Sequence, residues 1–250
     1  TRGGPVMRAP AYREARFSLG TDSRRAWALG LNLHADEHDG GYRGAGAGLE
    51  IAYDPMPALH LSIGPSYSWS QDEAQWYDAV DDPAMDSTHG TRYLFADLEY
   101  REFSLETRID WTFTPRLTLQ TYIQPLFASG RYSDLKELAR PHSYEFNRYA
   151  SDPGYDVAYD AGADDEYLLT PAEGDPFRVP DRDFNFKSLR VNLVLRWEYS
   201  AGSTLFVVWS QNRGGSGRTG SLDVGRGLGD LFADDGRNVV LVKFSKWLSM

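Results

Sequence analysis

The stretch Ser188-Leu189-Arg190-Val191-Asn192-Leu193-Val194-Leu195-Arg196-Trp197-Glu198-Tyr199 places Leu189, Val191, Leu193, Leu195, Trp197 and Tyr199 at every second position. Ser188, Arg190, Asn192, Val194, Arg196 and Glu198 fall between them. A period of two is the mark of a β-strand, whose successive side chains point to opposite faces. One face of this strand is oily and the other largely charged.

The same rhythm recurs outward from this run. Phe103, Leu105, Thr107, Ile109 and Trp111 alternate with Ser104, Glu106, Arg108 and Asp110. Leu117, Leu119, Thr121, Ile123, Pro125 and Phe127 alternate with Thr118, Gln120, Tyr122 and Gln124. Leu59, Leu61, Ile63, Pro65, Tyr67 and Trp69 stand against His60, Ser62, Gly64, Ser66 and Ser68. Shorter copies run from Trp27 to His34, from Gly44 to Tyr53, around Phe17 and Leu19, and over Leu205, Val207 and Trp209. A last copy sets Val240, Val242, Phe244 and Leu248 opposite Lys243 and Ser245. The pattern predicts nine strands.

A soluble sandwich alternates too, so other features must separate the readings. The oily faces end in aromatic residues near turns (Trp27, Tyr53, Trp111, Trp197, Trp247), where a lipid interface favours amphipathic rings. The opposite faces carry charges that a dry core would bury at several kcal/mol per unpaired group. The links also alternate in length. Those at 20–24, 54–58, 113–116 and 200–203 are short, whereas 35–41, 70–91, 129–186 and 211–237 are mostly long. Outer-membrane barrels pair short periplasmic turns with long external loops in this way. Every short turn falls on one side only if Tyr93 to Thr112 is one long strand, which then projects beyond the membrane.

The sequence thus predicts an all-β chain: the C-terminal portion, residues 1–250, of an antiparallel transmembrane β-barrel in the outer membrane of a Gram-negative-type bacterium. Because single-chain bacterial barrels close with an even strand count, further strands are expected before Thr1 or from another chain. The opening Thr1-Arg2-Gly3-Gly4-Pro5 has no basic or apolar leader pattern, so a targeting signal is expected upstream. A mean hydropathy of -0.50 fits such a barrel, since only alternate residues meet lipid, and no run approaches the ~20 apolar residues of a membrane-crossing helix. A net charge of -10 argues against nucleic acid as a partner. With no cysteine, disulfides and thiolate metal sites are excluded.

Several runs carry a resemblance to a known family: Arg2-Gly3-Gly4-Pro5-Val6-Met7, Arg92-Tyr93-Leu94-Phe95-Ala96-Asp97-Leu98, Trp111-Thr112-Phe113-Thr114-Pro115-Arg116-Leu117-Thr118-Leu119-Gln120, Tyr122-Ile123-Gln124-Pro125-Leu126, Asn185-Phe186-Lys187-Ser188-Leu189-Arg190 and Leu241-Val242-Lys243-Phe244-Ser245. The chain resembles, over essentially its whole length, the C-terminal barrel domain of unknown function in outer-membrane proteins that carry an N-terminal family-9-like carbohydrate-binding module. The resemblance implies location and fold, and carries over no catalytic residues. The apolar, aromatic-containing end at Phe244, Trp247 and Leu248 resembles the terminal strand read by barrel-assembly machinery, although Ser249-Met250 follows it.

Glu50, Glu106, Arg108, Asp110, Arg190, Arg196, Glu198 and Lys243 are expected to face the barrel lumen, and Leu61, Ile63, Leu105, Ile109, Leu119, Ile123, Leu193, Leu195 and Val242 to face lipid. The mixed charges either select a solute or pair across strands and hold the interior together. Residues 129–186 read as a long external loop with thirteen Asp/Glu against six Lys/Arg, and its Tyr132, Tyr144, Phe146, Tyr149, Tyr155, Tyr159 and Tyr167 either stack on sugars or fold the loop over the mouth. Its carboxylates at Asp152, Asp160 and Asp164-Asp165-Glu166 lack calcium-loop spacing and read as a solvated acidic loop. His34 and His60 near Ser62 and Ser66 show no spacing that specifies a nucleophile and its base. Gly214-Gly215-Ser216-Gly217 reads as turn material. The expected role is passage or capture of a small solute or glycan, without enzymatic activity, cofactor or metal. A barrel that anchors a surface or periplasmic module, its lumen closed by loops, is the other reading. Expected partners are outer-membrane lipid and lipopolysaccharide, the rest of the barrel, and other envelope proteins.

Overall fold

The computed structural model describes residues 4–162 and 165–248; Asp164, Ser249 and Met250 lie outside them. Each of the nine alternating runs is a strand. They are β1 (Tyr12–Gly20), β2 (Trp27–His38), β3 (Tyr42–Met56), β4 (Leu59–Asp81), β5 (Thr91–Thr114), β6 (Leu117–Leu138), β11 (Phe184–Ser200), β12 (Ser203–Gly217) and β13 (Gly236–Ser245). Four short strands lie between β6 and β11: β7 (Phe146–Arg148), β8 (Asp156–Asp160), β9 (Glu166–Thr170) and β10 (Phe177–Pro180). One helix, α1 (Val224–Ala233), connects β12 to β13.

The nine long strands form one antiparallel meander in the order β1-β2-β3-β4-β5-β6-β11-β12-β13, and β7 adds to β6. Strands β8, β9 and β10 make a separate three-stranded sheet. Among the described residues neither β1 nor β13 has a second long neighbour, so the meander is open along both edges.

The register keeps the apolar positions of neighbouring strands on one face across the sheet. Leu19 pairs with Leu31, Leu29 with Ile51, Ile51 with Ile63 and Leu61 with Ile109. The same face continues through Ile109–Thr121, Thr121–Leu193, Leu195–Val207 and Val207–Val242. A slip of one residue in any pair would exchange oily and polar faces, so the alternation fixes the register.

Four expectations about the links are corrected. Residues 70–81, 129–138, 211–217 and 35–38 are strand, not loop, because hydrogen-bonded ladders continue through them. The segment expected to be a long external loop shrinks to 139–183 and contains its own sheet. Gly214-Gly215-Ser216-Gly217 is the end of β12, paired with residues 185–188, and not a turn. At the other end β13 stops at Ser245, so Leu248 lies beyond the strand. The expected continuous strand over 93–112 is present within the 24 residues of β5.

Candidate functional site

All eight polar candidates share one face of the meander. Glu50 pairs with Gly30, and Glu106 lies opposite Gly64. Arg108 sits opposite Ser62 and Tyr122, and Asp110 opposite His60 and Gln120. Arg190 lies between Gln124 and Asn212, and Arg196 between Thr118 and Phe206, whose other neighbour is Lys243. Glu198 faces Thr204. The nine apolar candidates, Leu61 to Val242, occupy the opposite face through the pairs given above together with Pro65–Leu105, Trp111–Leu119, Thr107–Ile123 and Leu119–Leu195.

The charges on the polar face are segregated by strand. Below the cover, strands β1 to β5 contribute carboxylates that include Glu14, Asp36, Glu50, Asp72, Glu102, Glu106 and Asp110 against Arg16 and Arg108. Strand β6 presents only neutral side chains between 118 and 132, among them Gln120, Tyr122 and Gln124. Strands β11 and β13 contribute Arg190, Arg196, Arg237 and Lys243 against Glu198. One wall is acidic, one is basic, and a neutral strand divides them. Glu14, Asp36 and Arg237 escape a reading that ends the strands early, and following the alternation outward would have found them; Glu102 lies within the expected strand over 93–112 but not among the expected lumen residues.

Cross-strand ion pairs, one of the two roles expected for these charges, do not form between Arg or Lys and carboxylates in the central band of this face among the described residues. Its pairs run along a strand: Arg108 Nε to Glu106 Oε1 at 2.8 Å and Arg196 Nη2 to Glu198 Oε2 at 3.6 Å. The cause is the segregation itself, which puts opposite charges on strands too far apart to touch. Tyr122 crosses the gap between strands instead. Its hydroxyl donates to Glu106 Oε2 at 3.2 Å, and the Arg108 guanidinium lies 5.1 Å from its ring centre. These groups border a depression of about 240 Å³ lined by Arg108, Asp110, Gln120, Tyr122 and Asn192.

Above this face the segment 139–183 folds onto the extended ends of β4, β5 and β6. Leu94 and Ala96 of β5 have the same parity as Glu106 and are fully buried beneath Tyr149, Leu169 and Val179. Most of the tyrosines considered for sugar stacking are spent in this packing: Tyr149 is buried, and Tyr132, Tyr155 and Tyr167 pack against the cluster. Tyr159 is about half exposed, its ring 5.1 Å from that of Tyr167.

A buried polar network ties the unit together. Arg92 donates from Nη1 to Glu137 Oε2 and from Nε to Asp82 Oδ2, each at 2.6 Å, and from Nη2 to the Glu173 carbonyl. Glu137 also accepts from the Tyr149 hydroxyl at 2.7 Å and the Tyr155 hydroxyl at 3.0 Å. Burial pushes the Tyr149 hydroxyl's pKa up, and the Glu137 charge adds to that. The segment is a folded cover and not a solvated loop.

The histidines are dispersed. His60 Nδ1 lies 2.7 Å from Asp54 Oδ1, while Ser66 is hydrogen-bonded to the Ser104 hydroxyl at 2.8 Å. The His34 ring lies over Gly46, where a Cβ would collide with it. Among the described residues no three His, Asp or Glu side chains converge as a metal site. Comparison of the chain with protein-family models, with curated proteins and with solved structures finds no match in any of the three.

Proposed function

We propose that this chain forms part of a transmembrane β-barrel in the outer membrane of a Gram-negative-type bacterium, and that its polar face lines a passage or capture site for a small polar solute, such as a glycan fragment. The observation that carries the reading is the exposed apolar face, continuous over nine strands and bounded by aromatic rings at two levels. Near the short turns, Trp27 stacks on Tyr53 at 4.0 Å, Trp111 on Phe113 at 4.3 Å and Tyr199 on Phe244 at 5.3 Å. At the other level Tyr67 and Phe103 share one register row with Phe127, which α1 covers.

The band between these levels has the length of a membrane crossing. It spans nine residues on β4 (59–67), β5 (103–111) and β11 (189–197), and eleven on β6 (117–127). A tilted strand needs about 9–11 to cross the hydrocarbon. Beyond the second level the same face becomes polar, with Glu37, Arg43, Glu99 and Arg101. Soluble monomers rarely expose contiguous apolar patches beyond a few hundred Å², and Leu29, Leu33, Ile63, Val240 and Val242 are among many exposed here.

On this reading the short turns lie in the periplasm and the cover 139–183 lies outside the cell. The free edges of β1 and β13 pair with further strands, of the same barrel or of another envelope protein, because an exposed apolar edge strand is an aggregation hazard. Membership of the barrel family that the sequence resembles belongs to the same proposal. A second reading, an anchoring barrel with a closed lumen, is favoured by one observation: Tyr149, Leu169 and Val179 of the cover pack with Leu94 and Ala96 on the polar side of the sheet. Planar-bilayer recording of the reconstituted protein separates the two. Steady single-channel steps support passage, and an electrically silent protein that is inserted and folded supports the anchor.

A further inference from the structure

Two cations interrupt the apolar face at the edge of the band, one in the Phe127 row and one in the Pro125 row next to it. Lys187 pairs with Phe127 and Gly215, and Arg213 pairs with Leu189. Both are covered by α1. Lys187 Nζ lies 3.0 Å from Asp234 Oδ2 and 3.7 Å from Asp230 Oδ2. Arg213 Nη1 donates to the Phe232 carbonyl at 3.1 Å, at the negative end of the helix. The helix lies on the sheet through Leu231, which is buried against Phe127, Leu189 and Val191.

The remaining side chains of α1 divide into two flanks. At about 100° per residue, Leu228 and Phe232 lie on one side of the Leu231 contact line, and Arg226 and Asp230 on the other. The charged flank borders a cavity of about 300 Å³ whose wall includes Asn185, Lys187, Gly215 and Gly217, on the side of the strand ends away from the short turns. The apolar flank therefore points toward the central band. Phe232 is 69% exposed and Leu228 41%.

We infer that α1 is an interfacial helix: Leu228 and Phe232 enter the acyl chains of the membrane leaflet on the side of the cover, while Asp230, Asp234 and the helix's last carbonyls neutralise Lys187 and Arg213 at the lipid boundary. The inference rests on the membrane reading above. Acyl chains are the occupant because the flank is continuous with the band, and because an amphipathic helix in a membrane surface buries its apolar side about 5–10 Å into the headgroup boundary. Two cations on a lipid-exposed strand face would otherwise be unfavourable, more so the closer they lie to the midplane.

The chain has no cysteine, so single nitroxide labels can be placed without background. The full chain in phosphatidylcholine–phosphatidylglycerol vesicles would be labelled at Phe232→Cys, Leu228→Cys, Leu195→Cys or Arg226→Cys, and collision with oxygen and with a water-soluble nickel chelate measured. The expected result is an oxygen-to-nickel ratio at Phe232→Cys and Leu228→Cys severalfold above that at Arg226→Cys and approaching that at Leu195→Cys. A ratio at both helix sites equal to that at Arg226→Cys, with Leu195→Cys in lipid, overturns the helix assignment and leaves the membrane reading standing. Protection from both reagents with spin–spin broadening assigns the flank to a second copy of the chain and also overturns it. Nickel access at Leu195→Cys rejects the membrane reading and the helix assignment together.

Discussion

Arg92 and Glu137 meet inside the cover with Nη1 and Oε2 2.6 Å apart, and each side chain is 1% exposed. Arg92 lies ten residues from Asp82 and 81 from Glu173, so a single guanidinium joins segments that the chain separates widely. Burial works against the charged guanidinium, but the bonds from Glu137 and Asp82 outweigh it and raise the Arg92 pKa further above its ordinary value. Replacing Arg92→Leu leaves a buried carboxylate without its partner, at a cost of about 3–5 kcal/mol. Proteolysis within 139–183 is expected to quicken, while strand content of the nine-stranded sheet holds. The double variant Arg92→Leu, Glu137→Leu is expected to recover much of the loss. Equal protease resistance in Arg92→Leu and the parent protein would refute the keystone role.

Acid should loosen the same unit. The Ala84 backbone N–H, first, and the Arg92 side chain hold Asp82 below its ordinary value of 3.8. A carboxylate whose folded-state pKa is depressed contributes stability that is present above the unfolded value and is lost as pH falls through the folded one. Hydrogen exchange in 82–92 and 137–155 is therefore expected to rise as pH drops below about 3.8. Asp82→Asn should exchange faster at neutral pH and flatten that dependence; an unchanged pH profile in the variant would contradict the assignment.

The segregated walls make opposite predictions for ion selectivity. Neutralising Glu50, Glu106 and Asp110 to their amides should shift a conducting barrel toward anions, and replacing Arg190, Arg196 and Lys243 with Gln toward cations. Reversal potentials under a salt gradient would show both shifts at 0.1 M, where screening acts over about 10 Å, and smaller ones at 1 M, where it acts over about 3 Å. Shifts of the same sign in both variants would mean that the two walls do not face one lumen.

Adjacent residues of β11 should differ sharply in their tolerance of charge. Leu195→Arg places a cation on the proposed lipid face and is expected to cost up to about 2–4 kcal/mol, whereas Val194→Arg on the polar face should cost much less. Urea titration of the protein refolded into lipid measures both; equal costs would remove the distinction between the faces.

The alternation of Leu189–Tyr199 and its eight counterparts was enough to predict the strands, because a two-residue period survives whatever lies on either side of the sheet. The far end of β5 was legible as part of the continuous strand over 93–112, but those of β4 and β6 were not. Register shifts between Asp72 and Gln75 and between Trp76 and Asp78, with a further one opposite Phe95–Asp97, break the rhythm there. Asp134, at φ 49°, marks the irregular point on β6. Helix α1 was hidden by Gly225, Gly227 and Gly229, each of which costs about 1 kcal/mol against alanine in a helix. Gly227 has a packing reason, since a Cβ there would stand 2.8 Å from the Phe127 ring. The one local signal was Asp223, which caps the helix by accepting from the Arg226 N–H at 2.9 Å. The lumen candidates were legible by face; their separation into two walls was not, because it depends on which strands lie side by side.

The most direct measurement is a single-cysteine nitroxide scan along 188–197 of β11 in the reconstituted full chain, reading oxygen and nickel-chelate accessibility at every position. Oxygen access should peak at positions 193 and 195, with Val191 shielded beneath Leu231 of α1, and nickel access at 190, 192 and 194, with a period of two. Nickel access at Leu193 and Leu195, or loss of the two-residue period, would contradict the claim that the apolar face of this sheet meets hydrocarbon.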